Sequence, residues 1–534
     1  MPSARVEALQ QENAHLSATV ADLGDRLAQA TGNLQSALGR ITELQRQVDW
    51  FTRQLFGSKS ERRLEFDEAE QASLFAALGI EAPPAGDAPA QEVRYQRRGK
   101  RRDGAASESG LRFDGTVPVE VIKVVDPAIE AIPESEREVI GEKVTHRLAQ
   151  EPGSYKVLKY VRQVVKRRDT GELATPPSPP NVLEQTCVDV SFLAGMLVDK
   201  FRWHLPLHRQ HQRLADCGIQ VSRSSLTNWA GRAVDLLEPV AAAQAAHILK
   251  GSVVAMDETS IKAGRAAPGR MRSAYFWPVY GEDGEIAFHY APGRAHRHVD
   301  EFLGNFRGTL LSDGYAAYEA YAKRQGIAHA QCWSHCRRNF VDARESDPGG
   351  VAEALSLIGA LYVQEKVIRK RNLKGPAKLA HRRERSAPAV DAFFAWCKAQ
   401  RQRPDLLPSS PFAQALQYAA AREPGLRVFL DDPVVAVDTN HLERGLRPIP
   451  TGRRNWLFAW TELGAQRVGV IQSLLATCRL QDVDAYAYLV DVLQRVGQHP
   501  AKRAVELTPR VWKTMFADRP LRSDLDRTKD PPLQ

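Results

Sequence analysis

The 534-residue chain has no run of eighteen or more apolar residues, the length a membrane-spanning helix needs. Its first residues, MPSARVEALQQ, lack the apolar core of a signal peptide. Both absences point to a cytoplasmic protein with no membrane partner. Cysteine is scarce: six thiols, at 187, 217, 332, 336, 397 and 478, form no disulfide framework, and residues 64–186 have none. Such usage suits a reducing compartment. Acidic excess is also missing, with 73 Lys and Arg against 64 Asp and Glu, a net charge of +9. That balance permits a polyanionic partner without demanding one. Hydrophobic content of 43% and charged content of 26% exclude a disordered or fibrous chain. The length exceeds a single core, so several domains are expected in a multidomain α/β protein.

What is present begins with heptads. Over residues 6–55 the a positions are Val6, Asn13, Val20, Leu27, Leu34, Ile41, Val48 and Leu55. The d positions are Leu9, Leu16, Leu23, Ala30, Ala37, Leu44 and Phe51. This 3.5-residue period predicts a coiled coil over 1–56, with β-branched a positions favouring a homodimer and Asn13 fixing a parallel register. One amphipathic helix packed on its own domain is the alternative. A basic linker is expected over 57–110, from FGSKSERR (Phe56–Arg63) through APPAGDAPA to RYQRRGKRR (Arg94–Arg102). Its Arg97, Arg98, Lys100, Arg101 and Arg102 are candidate contacts to DNA phosphates through counterion release.

Short alternating stretches such as VPVEVIKVV and YKVLKYVRQVV predict a small β-rich module over 111–175. The proline-rich TPPSPPN separates it from a helical region over 182–245. There, Leu205–Asp216, a turn at Cys217–Ile219 and Ser222–Leu237 have helix-turn-helix spacing, which many helical hairpins share.

From Gly251 the pattern changes. A strand at Ser252–Met256 ends at Asp257, and strands at Ser273–Tyr280 and Glu285–Tyr290 flank the turn GEDG. A helix near His298–Phe306 precedes a strand at Gly308–Ser312, ending at Asp313. A helix over Tyr315–Gln325 and a strand at Ile327–Gln331 complete the series. The order matches a ribonuclease-H-like fold, in which the first and fourth strands are neighbours and their terminal acids converge. The catalytic core is therefore expected at 250–345 and 433–480, interrupted by a helical insertion at 346–432. Helices and a tail follow at 481–534.

Asp438–Phe458, DTNHLERGLRPIPTGRRNWLF, joins an acidic cluster to a basic run. Asp438, Thr439 and Asn440 are good N-caps, and Pro448 should stop the helix they start. Glu443 has two readings: the back-bonding member of a capping box with Asn440, or a metal ligand. Asp257, Asp313 and Glu443 together would form a hard, oxygen-only site suited to two Mg or Mn ions and unsuited to zinc. Arg444, Arg453 and Arg454 suit phosphate, and Trp456 could stack on a base or pack beneath the site. Asp438 is the fallback ligand. Cys332, His335 and Cys336 resemble half a zinc site, but four ligands are wanted, so packing is the preferred role. His335, Arg338 and Asn440 are candidate supporting residues facing the acids or DNA.

These pieces resemble a transposase of the insertion-sequence 66 family, in the DDE-type group. The likeness runs through FGSKSERR, LPLHRQ, SRSSLTNWAGRA, VAMDETSIK, LLSDGYAAY, CWSHCRRNF, RSAPAVDAFFAW, DTNHLERGLRPIPTGRRNWLF and SLLATCRLQDVDAYAYL. It implies that Asp257, Asp313 and Glu443 are the metal-binding catalytic triad. It also implies DNA partners, namely element ends and target, with small accessory transposition proteins as further candidates and a nucleoid-associated bacterial location. Two departures stand out. The family's cysteine pairs are missing from the β-rich module, so zinc is not expected there. Thr439 and Arg454 replace the more usual asparagine and lysine. The rival expectation is a catalytically silent DNA-binding protein that keeps the fold.

Overall fold

Val253–Met256, four consecutive buried residues, forms the centre of the largest sheet. A continuous apolar run of this kind belongs to a strand covered on both faces. The computed structural model describes residues 111–528 apart from 152 and 457, with five separate helical positions at 15, 24, 26, 29 and 31. The rest of the predicted coiled coil, and the basic run with Arg97, Arg98, Lys100, Arg101 and Arg102, lie outside the described residues. The chain divides into two units, 1–100 and 101–534, and all the sheets and helices below belong to the second.

The protein is mixed α/β. Its described strands are β1 (Arg112–Phe113), β2 (Val119–Val124), β3 (Arg137–Glu151), β4 (Ser154–Arg167), β5 (Leu173–Ala174), β6 (Ile219–Gln220), β7 (Val253–Met256), β8 (Thr259–Ala267), β9 (Arg270–Gly281), β10 (Glu285–Ala291), β11 (Thr309–Ser312) and β12 (His329–Gln331). In the main sheet the order is β10-β9-β7-β11-β12, with β8 added on β9. Strands β7, β11 and β12 run parallel, whereas β9 is antiparallel to both β7 and β10. The β9–β10 hairpin closes through GEDG, where Gly284 takes a φ of +72°. Side chains alternate between the faces, as strand geometry requires. Val254 and Met256 pack with Trp277, Val299, Leu303 and Tyr318. Val253 and Ala255 join the opposite core, which includes Ile471 and Leu474 of the Glu462–Leu480 helix.

Strand β8 was not expected. Its sequence, TSIKAGRAA, is polar and only Ile261, Ala263 and Gly264 are buried, so no strong alternation marks it. Pairing with β9 and a bridge from Ala263 to Ala459 supply what the local pattern does not.

A smaller sheet of order β2-β4-β3, with β5 on β4, uses the alternating segments before the proline-rich stretch. The buried end of β3, Arg147–Gln150, bonds to Cys187 and Asp189 at the start of the Val190–Phe201 helix. Tyr160 of β4 is buried and donates its hydroxyl to Asp524 at 2.7 Å, tying the sheet to the tail of the chain.

The helix-turn-helix-like region contains helices Leu207–Asp216 and Arg223–Ile248, with β6 between them pairing with β1. Ser222 caps the second helix through Ser225 N–H. That helix runs to 26 residues, past the expected end at Leu237, because Leu237, Val240, Ala241 and Gln244 are buried against the main core. Between β12 and Asn440 the chain is helical, including Pro348–Lys370, Ala387–Gln400 and Pro411–Ala421. Among the described residues no helix is long and apolar enough to cross a membrane.

Candidate functional site

Strands β7 and β11 pair in parallel, with Leu311 opposite Ala255. Continuing that register by two residues sets Asp313 opposite Asp257, where both chains leave the sheet by the same edge. Each carboxylate is tied locally: Asp257 Oδ1 accepts from Glu258 N–H at 2.7 Å, and Asp313 Oδ1 from Tyr315 N–H at 2.9 Å. Burial pushes the Asp257 carboxyl up to about 7, and the charges of Glu258 and Asp313 add to the effect. Those neighbouring negative charges oppose ionisation of Asp257, a preference that a bound cation would reverse.

A third acid, Glu258, stands beside them. Sequence reasoning missed it. Its side chain is buried, pairs with Arg294 and accepts from the Tyr318 hydroxyl at 2.6 Å. Arg294 also lies over the Tyr315 ring, 4.2 Å from its centroid, and the Tyr315 hydroxyl donates to Arg294 O at 2.6 Å. Both ends of this network meet the acids, Glu258 as neighbour of Asp257 and Tyr315 as partner of Asp313. Only the adjacency of Glu258 to Asp257 was visible in sequence; Arg294 and Tyr318 come from distant segments.

Glu443 sits in the first turn of the Asn440–Leu446 helix and is half-buried. The capping-box reading is overturned. The N-cap is Thr439, with no side-chain cap bond, and among the described residues Glu443 bonds no backbone N–H through its side chain. Asp438 takes that duty instead, accepting from Asn440 N–H at 3.0 Å. Its other oxygen accepts from Asn440 Nδ2 at 2.6 Å and the Tyr362 hydroxyl at 3.0 Å, so Asp438 is poorly placed as a fallback ligand. Glu443 Oε1 instead lies 3.9 Å from Arg338 Nη2.

The helix Trp333–Asp342 links the acids. His335, near its start, is close enough to Asp257 to favour the ionised carboxylate, and its Nδ1 is buried without a partner among the described residues. One turn later comes Arg338, beside Glu443. The helix start is fixed to the Glu443 segment: Trp333 N–H donates to Val437 O at 3.1 Å, and Thr439 N–H and hydroxyl donate to Cys332 Sγ at 3.3 and 3.2 Å. Ser334 donates to Asn440 Oδ1 at 3.4 Å. Cys332 and Cys336 are buried, and burial raises both thiols above their usual range.

Pro448 ends one helix and starts another. The Asn440–Leu446 helix gives way to Pro448–Trp456, so the basic residues lie on a helix and not on an irregular run. Proline at a first helical position loses no hydrogen bond, which reconciles the stop with the restart. Arg453 donates to Ser260 Oγ at 2.6 Å, three residues past Asp257. Arg444 and Arg454 are exposed. Trp456 folds back on its own helix, where a Cβ at Gly452 would meet its ring at 2.2 Å, and it packs partly buried against the main core.

Among the described residues the only trio of His, Cys, Asp or Glu with ligand atoms all within 4.8 Å is His247, Asp283 and Glu285. Asp257, Asp313 and Glu443 are therefore not closed around one point. The trio lies at the opposite end of β7, since Gly281, next to the β9–β10 turn, pairs with Val254. Arg510 Nη2 already contacts His247 Nε2 at 2.9 Å, and Arg510 Nε lies 3.3 Å from Glu285 Oε2. A guanidinium there supplies the positive charge that a cation would bring.

The chain belongs to the family described as Transposase IS66 family, which matches residues 185–467 and so includes Asp257, Asp313 and Glu443. The IS66 C-terminal element matches 473–509, and a segment described as Transposase C of IS166 homeodomain matches 43–122. Similar proteins occur in Sinorhizobium fredii. The uncharacterized protein y4hP is 32% identical over 71% of this chain and 72% of its own length. The uncharacterized proteins y4jD and y4qI are 27% and 28% identical, over 89% and 95% of this chain and 95% of each relative.

Proposed function

We propose that this protein is a DNA transposase that cleaves and joins strands at the ends of an insertion sequence by two-metal phosphoryl transfer. The observation that carries the reading is the parallel β7–β11 pair, which brings Asp257 and Asp313 off one sheet edge in a chain of this family. The strand order β10-β9-β7-β11-β12 supports a ribonuclease-H-like core.

An oxygen-only donor set with a carboxyl raised by burial and by neighbouring acids fits Mg or Mn. Asp257 and Asp313 would hold the ions and Glu443 would complete one coordination sphere. When bound, the pair of ions supplies Lewis-acid activation of the attacking water or 3′-hydroxyl and neutralises charge at the leaving oxygen. The chain's own residues do the remaining work. Glu258, Arg294 and Tyr318 hold the strand ends in place. Arg338 balances Glu443 until the acid is engaged. Arg444, Arg453 and Arg454 bind and orient the scissile strand.

DNA is the partner, gripped also by Arg97, Arg98, Lys100, Arg101 and Arg102, and the heptads over 6–55 pair two copies so that two DNA ends can meet. The test is incubation of the full-length protein with supercoiled DNA carrying the element's ends, with and without Mg or Mn. Nicking at the ends, only with metal, is expected. Binding to the ends without any nicking would instead make the protein a catalytically silent DNA-binding relative.

A further inference from the structure

Three arginines from separate parts of the chain line one cavity of about 190 Å³, together with His204 and Gln472. Arg202 follows the Val190–Phe201 helix, Arg447 follows the Asn440–Leu446 helix, and Arg479 lies in the last turn of the Glu462–Leu480 helix. No carboxylate lines the cavity. Among the described residues none of the three forms an ion pair, whereas nearby Arg467 pairs with Asp235 at 2.6 Å. Burial, then the charges of Arg202 and Arg447, lowers the Arg479 guanidinium below its usual range.

Like charges lining one cavity without an acid repel one another, and an anion between them would offset that repulsion. Planar guanidiniums favour phosphate, which they meet through paired N–H donors. The cavity opens to solvent and is roomy enough for a phosphodiester group. His204 adds two signs of a built site. Its φ of 57° is in the left-handed region, and its Nδ1 is buried with no partner among the described residues. Strained backbone of this sort clusters at ligand clamps.

The position is informative as well. Arg447 comes four residues after Glu443, with helical backbone throughout, so the two neighbour each other on one helix face. Arg479 Nη2 donates to Arg444 O at 2.9 Å, which fixes the far wall of the cavity to the same helix.

We propose that Arg202, Arg447 and Arg479 form a binding site for one phosphate of the DNA backbone, setting the register of the strand one helical turn from Glu443. This rests on the transposase reading above. The experiment is equilibrium binding of the full-length protein to duplex DNA over a series of NaCl concentrations, for duplexes with and without the element's ends. Arg202→Gln and Arg447→Gln should each weaken binding equally on both duplexes and reduce the slope of log K against log salt by about 0.9, the value for one phosphate contact. Arg447→Lys should restore the slope. Both side chains are exposed, and unchanged thermal melting checks that the variants fold. Unchanged slopes in variants of a DNA-binding wild type would overturn the site alone. An equal drop in Arg371→Gln, on the helical insertion, would do the same by making the effect one of net charge. A wild type that binds neither duplex would overturn the transposase reading and this site with it.

Discussion

The Tyr318 hydroxyl donates to Glu258 Oε2 at 2.6 Å, and Glu258 directly follows Asp257 at the end of β7. Tyr318 is completely buried, so its bond is made inside the core below the acids. Tyr318→Phe should lower stability by about 1–3 kcal/mol, the cost of leaving a buried acceptor short of a donor. Urea unfolding measures this; an unchanged midpoint would show the bond to be dispensable.

Asp257→Asn, Asp313→Asn and Glu443→Gln should each reduce strand cleavage by on the order of 10³-fold or more, as losing one member of a catalytic unit does. Binding to the element's ends should survive, because the arginines are untouched. Nicking and gel-shift assays on the same preparations separate the two, and retained cleavage in one variant removes that residue from the triad.

Metal binding should depend on pH through Asp257, whose carboxyl is pushed up to about 7. Between about pH 4 and 7 the unfolded chain has lost this proton while the folded site keeps it. The metal-free fold then binds the extra proton, so this group's contribution to stability falls as pH rises across that window. Mn must displace the proton. Calorimetry should show tighter Mn binding at pH 8 than at pH 6, with proton release at the lower pH. Identical affinities would separate Asp257 from the metal.

Arg382 is fully buried among the helices between β12 and Asn440 and meets Glu365 through two bonds of 2.8 and 3.0 Å. It also donates to Phe429 O at 2.8 Å and Val435 O at 2.9 Å, just before Asp438. Arg382→Met should cost about 3–5 kcal/mol by stranding the glutamate. It should also loosen the Glu443 segment. Denaturation combined with hydrogen exchange over residues 430–446 tests both effects, and uniform protection would argue against the second.

Deleting residues 1–56 should convert a dimer to a monomer in light scattering. An unchanged mass would assign association to another surface.

The strands that carry two of the candidate acids were legible because they are written in local runs. VVAM before Asp257 and LL before Asp313 are short, apolar and bounded, which is how a buried strand reads when turn residues flank it. GEDG announced its hairpin. Other parts had no local signal. TSIKAGRAA reads as loop, and becomes β8 only because β9 and Ala459 offer it partners. Asn440-x-x-Glu443 spells a capping box, yet Asp438 outcompetes it for Asn440 N–H.

The sequence by itself determined which chemistry is available: two strand-end acids, a helical glutamate, arginines in excess and a seam of heptads. Periodicity and turn residues act over a few positions, so they survive without the rest of the chain. Tertiary structure alone decided the pairings. Parallel alignment of β7 with β11, Arg294 beside Glu258, and Arg202 beside Arg447 and Arg479 join residues far apart in sequence. Such contacts depend on how helices and sheet close on one another, and no local propensity encodes them.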